Sequence, residues 1–304
     1  HYRARRQRQM CIRDRYECTA FEMRRRAQGD LMKVRYRADR LAVALVLAVF
    51  GIQLGLFFFS HGLATWLGML ALLPVQVSCG AICHNHHHVN TFVKRPLNRL
   101  FEMVLYLQTG TSPLSWTLHH NIGHHQLYLD PDNDPSPWQQ ADGSLMPRWR
   151  YVLINTLRIY PEIHRIGRQH PALYRRFLRL LLLANIPLVA AFMLDPRNAF
   201  IVFLIPMISM LFMLLDNTYG QHAGTGYEDH FHASRNVELK RYNLPSWNLG
   251  YHTAHHMLPG LHWSELPALH AKIRDRIPDH LITENVLLQW EPARQQRQGE
   301  GLPS

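Results

Sequence analysis

The 304-residue chain carries 33 Lys and Arg against 22 Asp and Glu, a formal net charge of +11, and has 21 histidines. Length alone leaves one large domain or two small ones open, and this basic balance fits nucleic acid, an anionic membrane surface or a solvated tail. The mean hydropathy of −0.19 is that of a soluble protein, yet the apolar residues lie in a few long runs and the charge lies almost wholly outside them.

The chain opens on a basic N-terminal segment, 1–40. Residues 7–15 (QRQMCIRDR) resemble translated adapter DNA, so Met23 or Met32 is the expected native start and no function is read from residues before about 20. The first apolar run begins only at Leu41, and no cleavable signal peptide is expected. Cys11, Cys18, Cys79 and Cys83 form neither a zinc-type pair nor a disulfide framework. The last two, at the end of an apolar run, read as small buried hydrophobes.

Residues 41–60 (LAVALVLAVFGIQLGLFFFS) hold no charge over a length that crosses a bilayer as a helix. His61 and Gly62 separate them from a second uncharged run, 63–83, so the two spans must form a hairpin. Pro74 is expected to kink the second helix, which membrane helices tolerate. A third run, 177–194, carries only Arg179 near its start, where the side chain can snorkel. After a turn at 195–198, residues 199–215 form the fourth. Residues 97–107 and 150–159 mix charge into apolar sequence and read as interfacial helices. A polar tail, 271–304, follows the membrane domain expected over 41–270.

Orientation follows from the Lys and Arg distribution, because basic residues stay cytoplasmic. The turns at 61–62 and 195–198 hold one basic residue, Arg197. The N-terminus, residues 84–176 and residues 216–304 are therefore expected on the cytoplasmic face of a bacterial inner membrane. Arg24-Arg25-Arg26, Lys33, Arg35 and Arg37 fit as topology signals and anionic-lipid contacts. Nucleic-acid binding is then not needed to explain the charge and is not expected.

Histidine is where the chemistry concentrates. The first cluster is His84-Asn85-His86-His87-His88, at the end of span two, with His84 and His88 at i and i+4 on one helix face. The second, His119-His120-Asn121-Ile122-Gly123-His124-His125, repeats that relation at His120 and His124, with His125 one step round. The third is His252-Thr253-Ala254-His255-His256. His222 sits shortly after span four. Neutral imidazole is a good ligand for iron, zinc and copper, and several helical pairs projecting from one membrane face can enclose metal. Adventitious binding by a His-rich tract fits residues 85–88 alone; it does not explain three spaced clusters on one side. His1, His61, His164, His170, His270 and His280 read as solvated surface.

At these residues the chain resembles the membrane fatty acid desaturase and hydroxylase family, whose boxes H-x(3–4)-H, H-x(2–3)-H-H and H-x-x-H-H recur in order at His84/His88, His120/His124/His125 and His252/His255/His256. The resemblance covers about 41–270. It implies an all-α integral membrane protein: four transmembrane helices in two hairpins, with a cytoplasmic helical cap holding a di-iron site. The implied metal ligands are His84, His88, His120, His124, His125, His222, His252, His255 and His256, with His119 an alternative to His120 and His87 to His88. Asn217 lies five residues before His222, which leaves a water-mediated asparagine role open. The implied activity is O2-dependent oxidation of a lipid acyl chain by two non-haem Fe ions. No dinucleotide, iron–sulfur or cytochrome b5 motif occurs, so a separate electron-transfer protein of ferredoxin or cytochrome type is expected. The last box and its flank, 252–266, look more like acyl desaturases than lipid, alkane or carotenoid hydroxylases or ketolases. A metal transporter is disfavoured, since its ligands would lie near mid-membrane. Asp130-Pro131-Asp132-Asn133-Asp134 reads equally as a turn or as carboxylates that orient ligating histidines. Trp116 and Trp247 are expected to pack at the membrane interface, with an acyl channel as the alternative.

Overall fold

A computed structural model describes residues 33–283. The expected N-terminal features (His1, Cys11, Cys18, the start at Met23 or Met32, Arg24-Arg25-Arg26) and most of the C-terminal tail lie outside these residues.

Helix α1 (Asp39–Phe59) and helix α2 (Leu63–His88) form the first hairpin. Their sequences are apolar all round, so neither can be solvated as an ordinary surface helix. Gly62 makes the tight turn with φ +60, a conformation that costs a residue with a Cβ. The helix runs through Pro74 without a break. At 26 residues α2 is about 39 Å long, some 9 Å more than a hydrocarbon core of about 30 Å. That surplus is about six residues, and it places the His84–His88 end beyond the apolar layer.

Helix α3 (Arg95–Thr109) and helix α4 (Arg148–Gln169) correspond to the two expected interfacial stretches. Helix α3 goes further than lying on a surface, since Phe101, Glu102, Leu105 and Tyr106 are buried against the bundle. Helix α4 is 22 residues long, twice the expected extent, and passes through Pro161. It still exposes Trp149 and Leu157, the apolar face an interfacial helix would present to lipid.

Helix α5 (Pro171–Leu194) and helix α6 (Pro196–His222) form the second hairpin. Helix α6 continues past the expected end at 215 and carries His222 in its own last turn. Its polar residues find partners that allow this: Asp216 pairs with Arg148, Tyr242 Oη donates to Asn217 at 2.8 Å, and Tyr219 Oη donates to the Met146 carbonyl at 2.7 Å. All four helices are long and apolar enough to cross a membrane. They present Leu47, Ile52, Leu70, Leu182 and Ile186 outward, a surface stable against lipid and sticky in water.

Buried amides tie the hairpins together. Asn198 Nδ2 donates to the carbonyls of Phe57 (3.0 Å) and Ser60 (2.8 Å), and Gln53 Nε2 donates to the Val202 carbonyl (2.9 Å). In a bilayer such groups have no water to turn to, so each bond fixes helix register. Beyond the histidine end of α2 and α6 lies a cap with its own core of Phe231, Leu258, Leu266, Ile273 and Leu281. It contains helices α7 (His252–Met257) and α8 (Leu266–Ile273). Strand β1 (Asn236–Val237) pairs parallel with β2 (Ile282–Thr283).

Candidate metal centre

Each histidine box enters from a different element. His84 and His88 come from the end of α2, His222 from the end of α6, and His252, His255 and His256 from α7. The second box is not α-helical: residues Thr117–His124 form a π-helix, closed by the His125 N–H donating to the His120 carbonyl. In an α-helix i and i+5 point roughly 140° apart. The wider π turn instead brings them to one face, with the two rings edge to face and His120 and His125 Nε2 3.0 Å apart. The expected His120/His124 pairing is thereby corrected. His124 faces elsewhere, with its Nε2 3.2 Å from that of His222. Single π turns often mark functional sites, because they re-aim side chains in this way.

All nine histidines come together, in two abutting groups, each buried or half-buried. In the first, the ring nitrogens of His84, His88, His120, His125 and His255 lie within 4.8 Å of one another. His255 Nε2 is 3.0 Å from those of both His84 and His125. The second joins His124, His222 and His256, with His252 Nε2 2.9 Å from His222 and 3.1 Å from His256. The stacked rings of His125 and His256, 4.2 Å apart, bridge the groups.

This donor set fits metal. His222 Nδ1 lies 2.8 Å from the Ala233 carbonyl, which can only accept, so the proton is on Nδ1 and Nε2 carries a bare lone pair. His124 Nδ1 likewise donates to the Asp134 carboxylate, at 3.1 and 3.2 Å. The Nε2 of His124 lies 3.2 Å from that of His222. A metal–nitrogen bond of about 2.1 Å at a right angle sets its donors about 3 Å apart, which is the spacing seen. The rings are also in the right state. Burial, and then the neighbouring imidazoles, push His120, His125, His252 and His256 well below the ordinary histidine range, and burial with His124 takes His255 to about 3. Neutral imidazole is the ligating form.

The surrounding residues orient the rings. Burial would raise the Asp134 carboxyl, but the His124 ring and the Ser136 N–H (3.0 Å) outweigh it and hold the carboxyl below its usual range. The 130–134 stretch is thus both a turn, with the Asp134 N–H donating to the Asp130 carbonyl, and a carboxylate support. Trp116 is buried and stacks on His120 with ring centroids 4.5 Å apart, so it belongs to the site and not to the membrane interface. Trp247 is buried too; its carbonyl accepts from Asn85 Nδ2 at 3.1 Å. His87 turns its Nδ1 to the Cys83 carbonyl (2.8 Å), and His119 is buried with neither nitrogen bonded. Neither joins a group. His270, expected on the surface, is buried and 2.7 Å from Glu238. Two contacts carry little sequence signal: the Ala233 carbonyl, and Tyr128, which packs on His256 and hydrogen-bonds His230.

Four helices able to span a membrane, two of them ending at a buried histidine site compatible with metal, define a membrane-spanning protein of the histidine-box type. Residues 60–287 match the family model described as fatty acid desaturase, and the chain belongs to that family. The match takes in all nine histidines and makes the chain an oxidoreductase of desaturase or hydroxylase type. No curated protein matches the chain.

Proposed function

We propose that this chain is an O2-dependent, two-iron fatty-acyl desaturase that places a cis double bond in a lipid acyl chain, using electrons from a separate ferredoxin or cytochrome-type protein. The observation that carries this is the five-plus-four arrangement of imidazoles whose ring nitrogens face one another. A nitrogen-only donor set suits iron, zinc and copper and not magnesium or calcium, and the family membership selects iron among them. His84, His88, His120, His125 and His255 hold one iron; His124, His222, His252 and His256 hold the other. Bound there, the irons supply the O2 chemistry needed to remove hydrogen from an unactivated methylene.

The chain's own residues do the positioning. Asp134 and the Ala233 carbonyl lock the tautomers of His124 and His222, and Trp116 fixes the plane of His120. Trp116 lines a small pocket together with Thr111, Ser115, His119, Ile159 and Leu211. The excess of basic residues beside the histidine-bearing segments supports a cytoplasmic site.

Expression in a host of defined lipid composition, followed by gas chromatography–mass spectrometry of the acyl chains, tests the reading. New monounsaturated chains, absent with His255→Ala, are expected. Hydroxylated or keto products would move the assignment to the hydroxylases, and an iron-free protein that transports divalent ions would overturn it.

A further inference from the structure

Two oxidisable rings lie against the nine histidines. Trp116 stacks on His120 at 4.5 Å. Tyr128 packs on His256 at 4.2 Å and lies within 6.0 Å of the rings of His124 and His222. They differ in where a proton can go. Trp116 Nε1 is buried with no hydrogen-bond partner, so an oxidised indole there has no base to take its proton. The hydroxyl of Tyr128 hydrogen-bonds Nδ1 of His230, a half-buried imidazole on the loop that follows α6. A phenol that loses an electron becomes a strong acid, and a hydrogen-bonded imidazole is the side chain suited to receive its proton. If Tyr128 were only packing, a carbonyl or water would serve as well.

We propose that Tyr128 is a one-electron donor to the oxidised two-metal site when no acyl chain is in place, with His230 taking its phenolic proton. This rests on the two-iron reading above. The Tyr128 O–H bond breaks, the proton forms an N–H bond at His230 Nδ1, and one electron reduces the metal site, which has been oxidised by O2. A neutral tyrosyl radical remains. One electron from the external donor and the proton returned by His230 restore the phenol. Such a device has a clear use. A site able to break a methylene C–H bond will otherwise attack its own imidazoles when substrate is missing, and Tyr128 touches three of the four rings of one group.

The test uses the full-length iron-loaded protein, reduced and mixed with O2 without acyl substrate, then frozen for electron paramagnetic resonance. A tyrosyl signal that narrows with ring-deuterated tyrosine is expected in the wild type, lost in Tyr128→Phe and retained in Trp116→Phe. His230→Gln, which leaves Tyr128 and every histidine of the two groups intact, should cut the radical yield several-fold at unchanged iron content. It carries the test if Tyr128→Phe loses iron. Repeated uncoupled cycles should inactivate Tyr128→Phe several-fold faster and leave more oxidised histidine in peptide mass maps. A wild type that consumes O2 without a tyrosyl radical overturns the proposal alone, as does a signal that persists in Tyr128→Phe or is unchanged in His230→Gln. A protein that binds no iron and consumes no O2 overturns the two-iron reading, and this proposal with it.

Discussion

Replacing Asp134 by Asn should weaken one metal and spare the other. The carboxylate meets a single histidine of the nine, His124, whose Nδ1 lies 3.1 and 3.2 Å from its two oxygens. Asparagine keeps the size and an acceptor oxygen but removes the charge, so the ring stays in place while its Nε2 becomes a poorer donor. Losing an outer partner of this kind lowers metal affinity about 10–100-fold, or roughly 1.4–2.7 kcal/mol. Asp134→Asn belongs near the low end of that range and Asp134→Ala, which also frees the ring to turn, near the high end. Because His124 sits only in the four-histidine group, the loss should fall on one equivalent of iron. Competition with a chelator of known strength, read as iron per chain at rising chelator, should resolve a weakened step and an unchanged one. Two equally weakened steps, or affinity unchanged in both variants, would refute the division into groups and the role given to the carboxylate.

His119→Leu should retain both irons, since His119 lies outside both groups, and should cost little stability. It removes a buried imidazole with neither nitrogen bonded, whose loss relieves an unpaired polar group; metal analysis and thermal unfolding in detergent check both. Metal-free protein should be acid-labile. Its buried histidines are depressed in the folded state, His255 to about 3 and His119 to about 4, against about 6.5 unfolded. Below pH 6.5 the unfolded chain therefore binds more protons. Stability is complete above that pH and falls as pH drops toward the folded values, by up to about 1.4 kcal/mol per pH unit for each such histidine. Unfolding midpoints between pH 7.5 and 5 should show this decline in the metal-free protein and much less of it with iron bound.

The membrane helices were legible because the signal is crude: long uncharged runs with short turns leave few alternatives. The approach of His84 and His88 to His252, His255 and His256 was legible because i,i+3 and i,i+4 spacing survives in α2 and α7. What the spacing hid was the π-helix. Nothing in Thr117–His124 announces a wider turn, yet that turn sends His120 and His125 to one group and His124 to the other. The end of α6 was hidden for a related reason. Asp216 and Asn217 look like a stop until Arg148 and Tyr242, distant in sequence, arrive to satisfy them. The Ala233 carbonyl leaves no side-chain trace at all, and His270 reads as surface until Glu238 is folded against it.

Iron content and X-ray absorption of the purified protein test the central claim most directly. The account predicts two irons per chain, each surrounded by nitrogen at about 2.1 Å, with His255→Ala losing the iron of the five-histidine group. One iron per chain, a zinc-filled site with no affinity for iron, or a shell dominated by oxygen or sulfur would contradict it.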